Sequence, residues 1–184
     1  MDELASFDLT SQSAPWVIFG RGVDRAVRAQ LEEVEAAGGR VVELRFDDPP
    51  DCGTVFRELF RKLEFPGYFG WNWDAVVDCL DDLPVDITGG FGVAGLILGA
   101  DALVDWDRLP TLVSVLSLGA GRANSSVDLD GEAQERPAIA LHFYFVLDEK
   151  SPHQVAENVE HPDLVVESRG DFVTVRLNPE VWPY

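Results

Sequence analysis

The stretch from Trp16 to Phe46 constrains the fold of this chain more than any other. Trp16 to Phe19 form a short apolar run that stops at Gly20-Arg21-Gly22, the pattern of a strand ending in a tight turn. From Val23 to Ala37 the residues Val23, Ala26, Val27, Leu31 and Val34 recur at helical spacing, and Gly38-Gly39 ends the helix. Arg40 to Phe46 (RVVELRF) returns to strand composition. A strand, a helix and a second strand in so short a stretch predict a right-handed parallel crossover, which commits the chain to an α/β sheet.

Further elements follow in the same alternation. Asp47-Asp48-Pro49-Pro50 breaks the chain, and Asp51 to Leu63 places Val55, Phe56, Leu59, Phe60 and Leu63 on one helical face. A linker from Glu64 to Gly70 leads to a helix over Trp73 to Leu83, with Asn72 as N-cap and Pro84 after its end. Gly95 to Ala100 reads as a buried strand, Asp101 to Asp107 as a turn or short helix, and Leu109 to Leu118 as a helix with Pro110 in its first turn. Residues 119–137, rich in Gly, Ser, Asn and charge, read as loop, and Ala138 to Leu147 as the most apolar strand. In the tail, Leu164 to Glu167 and Phe172 to Leu177 flank Ser168-Arg169-Gly170 as a hairpin. At 184 residues, 46% of them apolar, the chain fits one folded domain with appendages.

Charge narrows the partners. Thirty-three Asp and Glu against fourteen Lys and Arg give a net charge of −19, which disfavours direct binding to nucleic acid or to an anionic membrane and favours a basic protein or a cation. Cys52 and Cys79 lack CxxC spacing, and MDELASFDLT has neither the basic nor the apolar region of a signal peptide, so a cytoplasmic protein with reduced thiols is expected. No apolar stretch is long enough for a membrane span.

The acids are concentrated on one helix. At 100° per residue, Asp74, Asp78, Asp81 and Asp82 share a stripe about 100° wide, while Val76, Cys79, Leu80 and Leu83 fall on the opposite face and Trp73 and Val77 flank the stripe. Like charges at these spacings oppose helix formation, and Asp81 and Asp82 oppose the helix dipole as well. Between Lys62 and Arg108 there are nine acids and no Lys or Arg, so nothing nearby in sequence neutralises them. The plain alternative is a solvated face on an acidic protein. An uncompensated stripe has a use, however, where a cationic partner turns repulsion into steering.

Pro66-Gly67-Tyr68-Phe69-Gly70-Trp71-Asn72-Trp73-Asp74-Ala75-Val76-Val77-Asp78-Cys79-Leu80 resembles the signature of the barstar family, the intracellular inhibitors of barnase-type ribonucleases. The likeness extends more loosely over residues 40–148. It implies a parallel sheet of three strands with helices packed against it, to which residues 1–39 add a strand and helix at the sheet edge and residues 149–184 a small hairpin. It implies no enzymatic activity, no catalytic residue and no cofactor or metal. The implied partner is a basic ribonuclease or related nuclease toxin, which the protein would inhibit as an immunity factor by plugging the active site. Asp78 would be the central anchor in the nuclease phosphate site, Asp74 a second acid at its rim, Tyr68 an aromatic contact, and Gly70 and Asn72 the residues that shape the loop and cap the helix. Phe69, Trp71, Trp73, Val77, Asp81 and Asp82 complete the expected binding face. Val77 stands where the family has a tryptophan, and the helix from Leu109 to Leu118 has no acid to match the family's later one.

Other chemistries have weaker patterns. Asp78-x-x-Asp81-Asp82 could gather a divalent cation, and Gly20-Arg21-Gly22 could open a nucleotide site, although Arg25 stands where GxGxxG requires glycine. A tight turn explains the glycines better. His142, His153 and His161 lack metal-ligand spacing, and His142 reads as a satisfied core or edge residue. Asp128-Leu129-Asp130-Gly131 lacks the rest of a calcium loop, no GxSxG occurs, and Cys79 lies on a core face.

Overall fold

The structure, a computed structural model, describes residues 7–125, 132 and 135–182. Strands β1 (Val17–Arg21), β2 (Arg40–Arg45), β3 (Gly92–Leu98), β4 (Ala140–Leu147), β5 (Leu164–Arg169) and β6 (Phe172–Leu177) form one sheet in the order β2-β3-β4-β1-β6-β5. The helices are α1 (Arg25–Ala36), α2 (Cys52–Lys62), α3 (Trp73–Asp81), α4 (Val85–Thr88), α5 (Asp101–Val104), α6 (Leu109–Ser125) and α7 (Pro152–Asn158).

The first four strands are parallel, as expected, but β6 runs antiparallel to β1 and to β5. The sheet is therefore mixed and six-stranded rather than a purely parallel one. The β1 to β2 connection also spans two intervening strands, and β1 is an interior strand instead of an edge. Its composition explains the position: Val17, Ile18 and Phe19 are all fully buried, as in a strand covered on both faces and paired on both sides. The hairpin in the tail supplies the second neighbour.

After β2 the chain reverses direction across the sheet, so crossovers of one hand put their helices on opposite faces. Helix α1 lies on one face with Phe7 and Leu9, against Ile18, Leu96, Tyr144 and Val146. The helices α2, α3, α6 and α7 cover the other, over Phe19, Leu44, Ile97, Phe143 and Phe145. Strand β4 is buried at all eight positions and sends alternate side chains into each layer.

Helix α6 runs to Ser125, seven residues beyond the expected end at Leu118. Gly119 reads as a stop in sequence, yet here it allows close approach: a β-carbon at Gly119 would lie 2.7 Å from the Leu80 Cβ of α3. The rest of the expected loop, apart from residues 132 and 135–137, and with it Asp128 to Gly131, lies outside the described residues.

The segment before β1 is tied to the sheet through His142. Its Nδ1 lies 2.9 Å from the Pro15 carbonyl and its Nε2 2.7 Å from that of Ser11, with the ring 1% exposed. It is a core residue, as the sequence implies, whose ring donates to one of the two carbonyls when neutral and to both only when protonated. Burial pushes its pKa down, against the pull of the Ser11 and Pro15 carbonyls and of Asp8, which favour a second proton.

Two outcomes are expected from this packing. Gly119→Ala should destabilise the fold by about 1–3 kcal/mol through overpacking at Leu80 despite its better helix propensity, read as a lower urea midpoint. Because the folded state lowers the His142 pKa, its contribution is intact above the ordinary 6.5 and is lost as pH falls below it. Urea midpoints at pH 7.5 and 5.5 should differ, and His142→Asn should shrink that difference.

Candidate protein-binding face

The linker after α2 is shaped by two residues in the left-handed region, Glu64 at φ 51° and Trp71 at φ 53°. For a bulky residue such as Trp71 this conformation is unfavourable and must be held by its surroundings. The Trp71 ring packs on Phe60 and Phe69, each with centroids 5.2 Å apart from it. The Phe69 amide donates to the Pro66 carbonyl at 2.9 Å, closing a turn that puts Tyr68 at its tip, 81% exposed. Phe69 itself turns inward against Phe56, Phe60 and Phe65.

The next residues start the helix. Asn72 Oδ1 accepts from the Ala75 amide at 2.8 Å, and its Nδ2 donates to the Gly70 carbonyl at 3.2 Å. Gly70 leaves little room for a side chain, since a β-carbon there would lie 3.1 Å from Asn72 Nδ2. Trp73 is half-buried, edge-on to Phe56 with centroids 4.7 Å apart and 6.4 Å from the Trp106 centroid. Asp74 in the first turn is exposed and suits the helix dipole.

The four acids do not all face one way. Asp74, Asp78 and Asp82 are exposed, at successive i,i+4 positions. Asp81 is turned in, its side chain 7% exposed, and meets two arginines that are remote in sequence. Arg122 of α6 reaches Asp81 Oδ2 with Nη2 at 3.0 Å and Asp78 Oδ1 with Nη1 at 3.4 Å, and Arg136 pairs with Asp81 Oδ1. The expectation that nothing neutralises the stripe is thus corrected: its neighbour in space, α6, brings a cation that its neighbours in sequence lack. Arg122 is hidden in the sequence because Gly119 reads as the end of the helix, whereas α6 runs on to Ser125. The available signal was the continuing helical recurrence of Leu109, Leu112, Val113, Leu116, Ala120 and Ala123, with one arginine among small residues.

Of the expected binding residues, then, Tyr68, Trp71, Asp74, Asp78 and Asp82 present side chains outward, with Asn72 exposed at the cap. Phe69, Val77 and Asp81 are buried and support the face from beneath. Tyr68, Asp78 and Asp82 surround an open hollow of about 260 Å³, with Pro66, Cys79, Asp81 and Arg122 in its lining. Burial and the charges of Asp78 and Asp82 push the Cys79 thiol pKa up, which keeps it protonated and unreactive. Among the described residues no group of three or more His, Cys, Asp or Glu is arranged to hold a metal ion. At the Gly-Arg-Gly turn, Asp24 caps α1 by accepting from Val27 N at 2.8 Å, placing a carboxylate where a phosphate would have to sit. Among the described residues no helix is long and apolar enough to cross a membrane.

Fold and geometry together define an α/β protein with an exposed acidic and aromatic face on one loop and helix. Residues 39–123 match the family model described as Barstar (barnase inhibitor), so over this segment, from the residue before β2 almost to the end of α6, the protein is barstar-like. Members of that family are inhibitors rather than enzymes. No curated protein and no solved structure matches the chain.

Asp81 and its exposed neighbours should respond differently to substitution. Asp81→Ala leaves Arg122 buried with half its partners gone and should cost about 3–5 kcal/mol, whereas Asp74→Ala should stay within about 0.5 kcal/mol. Equal effects in chemical denaturation would mean that the buried pair has no structural weight.

Proposed function

We propose that this protein inhibits a basic ribonuclease, as an immunity factor in the cell that makes the enzyme, by covering the active site with the Tyr68 to Asp82 loop and helix. The observation that carries the reading is the exposure of Asp74 and Asp78 on α3 and of Asp82 at its C-cap, beside Tyr68 and Trp71, within a segment that matches a family of barnase inhibitors. Nuclease sites are lined with cations that hold phosphates, and carboxylates at phosphate-like spacing compete for the same donors. Tyr68 and Trp71 supply rigid aromatic area that removes water around those charges, as binding hot spots require. The strained backbone of Trp71 agrees with a displayed residue, since a glycine would serve the turn better.

The test is capture from a panel of purified basic ribonucleases followed by an RNA-cleavage assay on whatever is bound. Wild type should bind and silence at least one of them. Asp78→Ala should weaken that binding by about 30-fold or more while changing stability by less than about 1 kcal/mol, because the Asp78 side chain is 69% exposed. Asp82→Asn should slow association several-fold at low salt and leave dissociation unchanged. A panel in which wild type and Asp78→Ala behave alike defeats the proposal.

A further inference from the structure

We propose that Arg122 is a positioning residue of this face: anchored on Asp81 beneath, its guanidinium holds the Asp78 carboxylate in the orientation shown to a partner. The inference rests on the reading of the face as a nuclease-binding surface, and it assigns a role to a residue outside that face.

Three observations carry it. First, the two ends of the contact differ in exposure: the Arg122 side chain is 7% exposed and the Asp78 side chain 69%, so the arginine reaches up from the helical layer to a carboxylate at the surface. Second, the fork is divided. Nη2 serves Asp81 at 3.0 Å and Nη1 serves Asp78 at 3.4 Å, two acids three residues apart on α3, and the rigid planar fork fixes the direction of each bond as a single ammonium nitrogen would not. Third, Arg122 Nε has no hydrogen-bond partner among the described residues. A buried donor left unpaired opposes folding, so this guanidinium is placed by the acids at its tip and not by a network around its base.

An exposed aspartate samples several rotamers, and a partner that binds one of them must order the side chain first. That ordering weakens binding by up to about tenfold for a single side chain. Arg122 orders Asp78 in the free protein. Its positive charge also draws on the same carboxylate, so a partner cation must share it. A lysine at 122 keeps the total charge and the bond to Asp81 but lacks the fork, and so separates orientation from electrostatics.

Two measurements test the proposal, with Arg122→Lys and barnase as the probe. In the free proteins, three-bond Hα–Hβ couplings report the Asp78 rotamer. Wild type should show one rotamer and Arg122→Lys averaged values. In stopped-flow binding, Arg122→Lys should leave association unchanged and speed dissociation about three- to tenfold, and it should have no further effect in an Asp78→Ala background. Averaging already present in wild type, or a dissociation effect that persists without Asp78, overturns the assignment and leaves Arg122 as a counter-ion to Asp81 alone. If barnase binds neither protein, the inhibitor reading fails for that enzyme and the couplings alone decide the role of Arg122. Should Arg122→Lys not fold, Arg122→Gln combined with Asp81→Asn removes both buried charges together, and the same couplings apply.

Discussion

Everything displayed on the acidic face depends on how α3 sits against α6. The two helices approach closely at Gly119 and Leu80, and beside that contact Arg122 meets Asp81 with both side chains almost fully buried. Burying two ions costs several kcal/mol each in lost hydration, and their attraction only roughly offsets it. The pair contributes register more than stability. Sliding either helix by one residue would swing one charge away from the other and break their contact in a dry layer, so the paired arrangement is strongly selected over its neighbours. Since Asp78 lies on the same short helix as Asp81 and Asp82 is the C-cap that follows it, fixing Asp81 sets where both begin.

The sheet beneath makes that arrangement rigid. Strand β4 supports the helical layer through Leu141, Phe143, Phe145 and Leu147, and its other face is closed by α1 and by Phe7 and Leu9. The match to the inhibitor family ends at residue 123, before β4 begins. Like β4 itself, β1 and the β5–β6 hairpin lie outside the matched segment, and they cover the side of β4 away from β3. An uncovered strand as apolar as β4 would be a template for pairing with another chain. Here the antiparallel hairpin moves the edge outward to β5, where Glu167 and Arg169 are its closing residues.

Most of the fold was legible because its elements announce themselves locally. The periodicity of α1 and α2, the Asn72 cap and the unbroken apolar run of β4 are all properties of consecutive residues. What sequence could not convey was pairing at a distance. The place of β1 inside the sheet depends on a hairpin some 150 residues later, and nothing in Val17 to Arg21 names its partners. At the site, the exposed stripe was legible to within one residue. Asp81 fell on the wrong side because helical angle alone cannot tell a solvated acid from one facing a second helix, and the glycines that bring α6 so near also look like the signal for a helix to stop.

With Asp81 withdrawn, the remaining acids acquire a definite geometry. Asp74 and Asp78 lie one turn apart on α3, about 6 Å along its axis, and Asp82 follows as the C-cap just past the last helical residue. At physiological ionic strength charges are screened over about 8 Å. Asp74 and Asp78 therefore lie within each other's field. Arg122, 3.4 Å from Asp78 Oδ1, draws on the buried side of that carboxylate and offsets part of this repulsion. Helical rise and screening length thus make Asp74 and Asp78 a coupled pair of exposed charges, with Arg122 compensating Asp78 from beneath.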